Sequence, residues 1–509
     1  ELILPIAIIF ACAAVIAGSF RLLLLWVGIR LIKAVGADLS IEVYRRTLYQ
    51  PFSVHVARNS NEVISGVINK VGSATGVLMS VVTLTTSIIL FTAILITLLI
   101  IDPIVASIAA FTFGNFYLLI AWLSRKNLLN NGKKIADNQT QVVKLLQEGL
   151  GAIRDIILDS SQSIYCVIYG KSITELQRAD SENTFINQAP RYFMEMVGLV
   201  LVSGLAYSLS YKSGDISTSL PVLGALALGA QKLLPLLQHI YSSWATMKGG
   251  QAALVDVLEL LDQPLPTYIA DDVIPPYDFK DSIRLKNIKF RYSDESAWVL
   301  DGINLTIPKG ARIGFIGSTG SGKSTTLDLI MSLLDPTEGK LLVDEKEVLS
   351  TEAHQWQKNI AHVPQSIFLA DCSIAENIAI GIDPMLIDME RVRLAAEQSQ
   401  ISKFIDTLPE KYFTDTGERG VRLSGGQRQR IGIARALYKK AKVIVFDEAT
   451  SALDSSTETA VMNAIESLNR NITILIIAHR LTTLKSCDKI IKLEHGKIVE
   501  QGGYDLFNQ

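Results

Sequence analysis

Apolar positions along this chain change their spacing once, near residue 263. Before it they form near-uncharged runs of roughly 20 residues, the length that crosses a bilayer core. After it they form short β-branched and aromatic runs bounded by Gly, Pro and polar clusters, the pattern of strands alternating with helices. The long runs lie at 2–20, 77–101, 104–123, 193–209 and 219–240, and each predicts a membrane-spanning helix. Asp102-Pro103 breaks the second run from the third. Ser213-Gly214-Asp215 does the same between the fourth and fifth.

The spans are longer than the bilayer requires. Helical patterning continues through polar stretches at 36–50, 61–76, 128–155 and 171–188. At about 1.5 Å per residue these project on the order of 20 Å or more beyond the membrane. Their connections, near 51–59 and 157–169, carry Phe52, Val54, Ile164, Tyr165, Val167 and Ile168 in polar surroundings, which suits docking onto another domain. Arg21, Arg30, Lys33, Arg45 and Arg46 follow the first span, and Arg125, Lys126, Lys133 and Lys134 follow the third. The positive-inside rule makes those connections cytoplasmic, the turns at Asp102 and Gly214 external, and the second half of the chain cytoplasmic. The same count places Glu1 outside and leads us to expect one further span upstream.

Composition narrows the class. Hydrophobic residues are 49% of the 509 and mean hydropathy is +0.30, with the excess in the first half. Several near-uncharged runs with consistent charge asymmetry exclude a soluble bundle of five buried helices. A net charge of −2 provides no basic field for nucleic acid. Cys12, Cys166, Cys372 and Cys487 are far apart, with no metal-ligand spacing, so they read as reduced structural thiols. The organisation is a multidomain one: an all-α transmembrane domain over 1–262 with long helices extending into the cytoplasm, a Pro-rich linker over 263–282, and an α/β P-loop ATPase domain over 283–509.

The chemistry lies in the second half. Gly317, Ser318, Thr319, Gly320, Ser321, Gly322, Lys323, Ser324 and Thr325 fit the pattern G-x-x-x-x-G-K-[ST], between a strand at 313–316 and a helix at 326–334. Backbone N–H groups at such a helix start cradle phosphates, Lys323 reaches the β/γ-phosphates, and Ser324 ligates Mg²⁺. Tyr292, about 25 residues upstream, is either an adenine-stacking ring or a core strand residue. The apolar strand at 441–446 ends in Asp447 and Glu448. There an Asp can hold Mg²⁺ and a Glu can polarise the attacking water. A strand at 472–478 ends at His479, within reach of a γ-phosphate. Leu423, Ser424, Gly425, Gly426 and Gln427 open the helix at 428–437 and make a second phosphate-binding cap.

With these motifs the chain resembles the ATP-binding cassette (ABC) exporter half-transporters over essentially its whole length. The resemblance implies that Tyr292 stacks on adenine and that Gln365, in Val363-Pro-Gln-Ser, senses Mg²⁺. It implies that Asp447 ligates Mg²⁺, that Glu448 is the general base and that His479 is the switch histidine. It makes 423–427 the signature motif, which completes the ATP site of the opposite subunit, with Asp454 of Ser451-Ala-Leu-Asp454 in the dimer-communication loop. Thr416-Gly-Glu-Arg-Gly420 resembles an exporter loop that contacts the membrane-domain tips. One P-loop and one signature motif per chain imply a homodimer closing on two ATP molecules.

Four basic residues fall near the inner leaflet. Counted from the outer ends, Arg21 lies about 28 Å deep, Arg191 about 30 Å and Lys232 about 21 Å, with His239 deeper. Doubled in a dimer they form a ring suited to a phosphate or pyrophosphate head group, or Arg21 and Arg191 merely snorkel. Ala189-Pro-Arg-Tyr-Phe-Met-Glu195, Arg21 and the Lys232-to-His239 spacing resemble bacterial flippases of lipid-linked oligosaccharides, although Lys232 and His239 stand where arginines are expected. The expected partners are a second copy, membrane lipid and an anionic lipid-linked cargo, with ATP and Mg²⁺ as cofactors. A general exporter of drugs, glycolipids or peptides is the alternative, followed by an ATP-gated channel or regulatory subunit.

Overall fold

A computed structural model describes residues 3–101, 103–213, 216–266, 275–448, 455–466, 470–478 and 480–507. The expected turn residues Asp102, Gly214 and Asp215 lie outside these, as do Asp454 and His479. The chain divides into two compact units, residues 1–50 with 54–265, and residues 51–53 with 266–509.

The first unit is all helix. Its elements are α1 (Ile3–Leu48), α2 (Phe52–Ala57), α3 (Ser60–Ser65), α4 (Val71–Ile101), α5 (Pro103–Gly151), α6 (Ile153–Leu158), α7 (Gln162–Ser213), α8 (Ile216–Gly249) and α9 (Gln251–Leu261). Pro51 ends the first long helix, because the residue before a proline avoids helical dihedrals. Asn59 caps α3 by accepting from the Asn61 N–H. Pro103 opens α5 at a position where its missing N–H costs nothing. The turn between α6 and α7 is only three residues long, tighter than the tip expected over 157–169, and Ser160 enters the left-handed region there (φ 52°). Beyond the fifth apolar run the helix continues to Gly249, breaks at Gly250 and resumes as α9 to Leu261.

Two apolar seams hold this unit together. Phe113, Tyr117, Leu128, Met194, Tyr241 and Ala245 join α5, α7 and α8. Val43, Val71, Ala74, Val257 and Leu260 join α1, α4 and α9. A β-carbon at Gly132 would sit 2.1 Å from the Gly249 carbonyl, so α5 and α8 approach at backbone distance. Most of α1 from Leu4 to Leu31 is apolar and exposed, as a lipid-facing helix must be. Leu4–Leu48 and Ser60–Ile100 are each long and apolar enough to cross a membrane.

Pro190 lies inside α7 and leaves the Ile186 carbonyl without its helical donor. The Tyr241 hydroxyl donates to that carbonyl at 3.1 Å. Gln238 Nε2 donates to the next carbonyl, that of Asn187, at 2.9 Å. Gln238 Oε1 accepts from the Tyr117 hydroxyl at 3.1 Å, so α5, α7 and α8 are tied together at the proline.

The second unit holds two sheets. β1 (Ser282–Phe290), β2 (Leu300–Pro308), β4 (Glu338–Val343) and β5 (Lys346–Glu347) form an antiparallel sheet in the order β2-β1-β4-β5. The second sheet uses β3 (Arg312–Ile316), β6 (Ile360–Val363), β7 (Val443–Asp447), β8 (Thr473–Ile477), β9 (Lys489–Glu494) and β10 (Lys497–Gly502), in the order β10-β9-β3-β8-β7-β6. β3, β6, β7, β8 and β9 run parallel; the central β3, β7 and β8 are buried on both faces, which explains the near-continuous apolar runs of β7 and β8. In register, Phe315 lies beside Ile477 and Ile477 beside Asp447. Val363 lies beside Phe446. The loops that leave β3, β6, β7 and β8 therefore emerge along one edge, where ligands bind in open parallel sheets.

Candidate nucleotide site

The loop after β3 turns into helix α10 (Lys323–Ile330) at Gly322, three residues earlier than the hydrophobic pattern indicated. Gly322 is left-handed (φ 96°), and a β-carbon there would meet Leu300 at 2.5 Å. Gly317 lies against the Leu493 carbonyl, which a β-carbon would approach to 2.2 Å. Neither position tolerates a side chain, and both keep the loop wrapped around its own centre. Lys323 is buried, and its ammonium donates to the carbonyls of Gly317 and Ser318 at 2.9 Å each. The buried Ser321 hydroxyl has no hydrogen-bond partner among the described residues. Gly320 faces open space, and Ser324 is exposed at the start of α10. A cation, an orphaned hydroxyl and an uncapped helix start together fit a polyphosphate.

The Glu448 carboxylate is held from the neighbouring loop. Gln365, two residues beyond β6, donates through Nε2 to Glu448 Oε2 at 2.6 Å. Glu448 adopts a left-handed backbone (φ 50°) directly after β7, and its N–H bonds the Ile477 carbonyl at 3.1 Å. Asp447 ends β7 beside it. Behind them, on α10, burial and secondarily the Asp447 charge push the Asp328 carboxyl up to about 6. Sequence reasoning passed over Asp328, because an acid inside a helix next to the P-loop carries no motif.

Tyr292 stands at the rim. Its ring is 57% exposed, meets Phe290 edge-on at 5.0 Å, and carries its hydroxyl 3.5 Å from Thr325 Oγ1. An aromatic face open to solvent at the end of the P-loop favours the stacking reading over the core reading. Ser424 caps the helix Gly425–Tyr438, which starts three residues before the predicted 428. Ser424 and Gln427 form a reciprocal capping box, with Ser424 N donating to Gln427 Oε1 at 2.8 Å. Among the described residues no hydrogen bond joins 423–427 to 317–325.

The basic residues of the helical unit are less gathered. Arg191 pairs with Glu195 at 3.0 Å, one turn along α7, a partner the sequence reading left out. Arg191 and His239 line one small cavity of about 140 Å³ together with Tyr117, Glu195, Pro235 and Gln238. Arg21 and Lys232 do not line it and are exposed on their own helices.

An all-helical unit with membrane-length apolar helices, followed by a P-loop ATPase built on a parallel sheet, defines an ATP-driven membrane transporter. The ABC transporter family profile matches residues 300–451. The chain is 32% identical over 484 residues to the ATP-dependent lipid A-core flippase of Saccharophagus degradans, covering 92% of this chain and 79% of that one. It is 38% identical over 276 residues to the heterocyst differentiation ATP-binding protein HepA of Nostoc sp., covering 54% of this chain and 44% of that one. Its fold matches that of a bacterial Atm1-family ABC exporter with ATP bound, at a TM-score of 0.82 and 24% identity, over 94% of this chain and 84% of that one. The chain belongs to the ABC exporters, with a membrane domain fused to an ATPase domain, and hydrolyses ATP coupled to transport.

Proposed function

We propose that two copies of this chain form an ATP-driven exporter that moves an anionic lipid across a bacterial inner membrane, with the ATPase units in the cytoplasm. A polyprenyl-(pyro)phosphate-linked oligosaccharide is the favoured cargo. The observation that carries the ATPase reading is the Gln365–Glu448 bond at the sheet edge that also bears the P-loop. Glu448 takes the proton of the attacking water, and Gln365 holds its carboxylate in place. Ser324, Gln365 and Asp447 would hold Mg²⁺, which neutralises charge on the β- and γ-phosphates when bound. Tyr292 stacks on adenine, and Ser424 with Gly425 and Gly426 of the partner copy closes over the γ-phosphate. His479 and Asp454 complete that closure in the same reading.

Cargo recognition rests on Arg21, Arg191, Lys232 and His239, which supply cations for a phosphate head group. The relative from Saccharophagus degradans is named for a lipid substrate, which supports the same direction. One observation favours the second reading, a general exporter: Glu195 already neutralises Arg191. The deciding measurement is ATPase activity in lipid vesicles, with and without a polyprenyl-pyrophosphate-linked glycan. Wild type is stimulated, and the Arg21/Arg191/Lys232→Ala variant keeps basal activity but loses the stimulation. Equal stimulation in both proteins rules out the anionic-lipid cavity and leaves the general exporter.

A further inference from the structure

The far edge of the parallel sheet, where its strands begin, holds a cavity of about 630 Å³. It lies where β2 and the signature helix (Gly425–Tyr438) end and where β7 and β8 start. β7 is five residues long, so at about 3.3 Å per residue this edge is roughly 15 Å from Asp447. None of the residues assigned to the nucleotide lines it.

The lining is cationic around an aliphatic floor. Lys309, Arg391, Lys440 and Lys442 contribute to it, and among the described residues no carboxylate does. Lys440 is exposed and sits left-handed (φ 54°) just past the signature helix, a position that glycine usually takes. Neither Lys440 nor Lys442 joins an ion pair among the described residues. Asp278 feels the charges of Lys442 and Lys309, but it is paired with Lys280 at 2.5 Å and stays out of the lining. The Lys309 ammonium lies 5.9 Å over the Phe279 ring, and the Arg391 guanidinium 4.4 Å over the Tyr438 ring. Arg391 Nε is buried without a hydrogen-bond partner among the described residues. The carbonyl end of the signature helix would oppose an anion, but Arg391 Nη2 takes the Tyr438 carbonyl and the Lys440 N–H takes that of Leu437.

Leu394, Leu437 and Ile472 supply the apolar part of the lining, and no aromatic ring contributes. A nucleobase would find nothing to stack on, whereas an alkyl chain would bury its surface. The volume is that of a small-ligand site. We propose that this cavity binds an anionic amphiphile, a phosphate or diphosphate on a short aliphatic chain. Lys440 and Lys442 hold the anion beside Lys309 and Arg391, and Leu394, Leu437 and Ile472 hold the chain. The site is independent of the cargo residues in the helical unit.

The test uses the full chain in vesicles of phosphatidylethanolamine and phosphatidylglycerol, with saturating ADP and Mg²⁺ to fill the nucleotide site. Lysine acetylation is followed by mass spectrometry with geranyl diphosphate, pyrophosphate or geraniol added. Geranyl diphosphate is expected to slow labelling of Lys440 and Lys442 about tenfold and to leave the exposed Lys403, on the helix Ser402–Asp406, unchanged. Pyrophosphate, lacking the chain, should need about tenfold higher concentration, and geraniol should not protect. Lys440→Gly and Lys442→Gln should each weaken geranyl diphosphate about tenfold, read at the remaining lysine. Lys440→Gly suits the left-handed backbone, so its Tm should not fall, which separates lost binding from lost folding. Unprotected lysines, equal protection by geraniol or by pyrophosphate, or unchanged affinity in both variants overturns the proposal. Protection by ADP alone makes a nucleotide the occupant and overturns it too. The Arg21/Arg191/Lys232→Ala chain should be protected like wild type, so failure of the cargo reading leaves this site standing; loss of protection there would mean that the probe acts from the helical unit and would overturn the proposal.

Discussion

Two helix starts in the ATPase unit read alike in sequence, as Gly-rich phosphate caps, and differ in structure. At α10 the cap residue is Gly322, with no side-chain capping bond, so the first-turn N–H groups stay open for an anion. At the signature helix Ser424 and Gln427 cap each other, so part of that terminus is already satisfied. The helix interiors differ too. α10 carries the acid Asp328, while the signature helix carries Arg428, Arg430 and Arg435. The P-loop is therefore built to hold a polyphosphate by itself. The signature terminus offers a hydroxyl and a positive field to an anion brought to it by other groups.

The largest effect separates holding from chemistry. Glu448→Gln keeps a bond to Gln365 but removes the proposed base, and is expected to lower kcat by roughly 10²–10⁴-fold while ATP stays bound. Single-turnover hydrolysis with a filter-binding assay measures both. Next, Lys323→Ala removes the ammonium from an anion cradle and weakens ATP binding by about a hundredfold, at about 1.4 kcal/mol per factor of ten. The same titration on Ser424→Ala distinguishes the two termini. It loses roughly 1 kcal/mol of cap stability and about tenfold in kcat, with ATP affinity for the P-loop nearly unchanged. If Ser424→Ala weakens ATP binding as much as Lys323→Ala, the two termini do not differ as argued.

Most of this organisation was legible in the chain, for identifiable reasons. Strand-to-loop-to-helix chemistry is local: Gly317, Gly322 and Lys323 act within one turn, so their spacing specifies their geometry. Asp447 and Glu448 were legible because a buried parallel strand reads as an unbroken apolar run with its acids at the end. The Gln365–Glu448 bond was not, since it spans two strands and depends on register. The basic cavity was hidden for a similar reason, since Lys309, Arg391, Lys440 and Lys442 meet only once the sheet is assembled. In the helical unit, charge and length marked long helices, of which Leu4–Leu48 and Ser60–Ile100 are apolar enough to cross a membrane. Pairing of Arg191 with Glu195 was open to inference from i, i+4 spacing and was passed over. The break at Gly250 and the short turn at Ser160 depend on local backbone geometry that apolar periodicity does not encode.

The smallest expected effect tests the acid inside α10. Burial first, and the Asp447 charge second, raise the Asp328 carboxyl from 3.8 to about 6. Between those values the native carboxyl holds a proton that the unfolded chain has released. Its contribution to stability is therefore fully present below about 4 and is lost as pH rises through about 6. The signature helix has arginines in place of such a group and should show no matching term. Asp328→Asn keeps the neutral form at every pH, so its midpoint of thermal unfolding, measured without nucleotide, should exceed that of wild type at pH 7 and converge with it at pH 4. The gap should widen across this window and stay constant above it. A pH-independent gap would mean that Asp328 is solvated like an ordinary carboxylate. The acid would then no longer distinguish α10 from the signature helix.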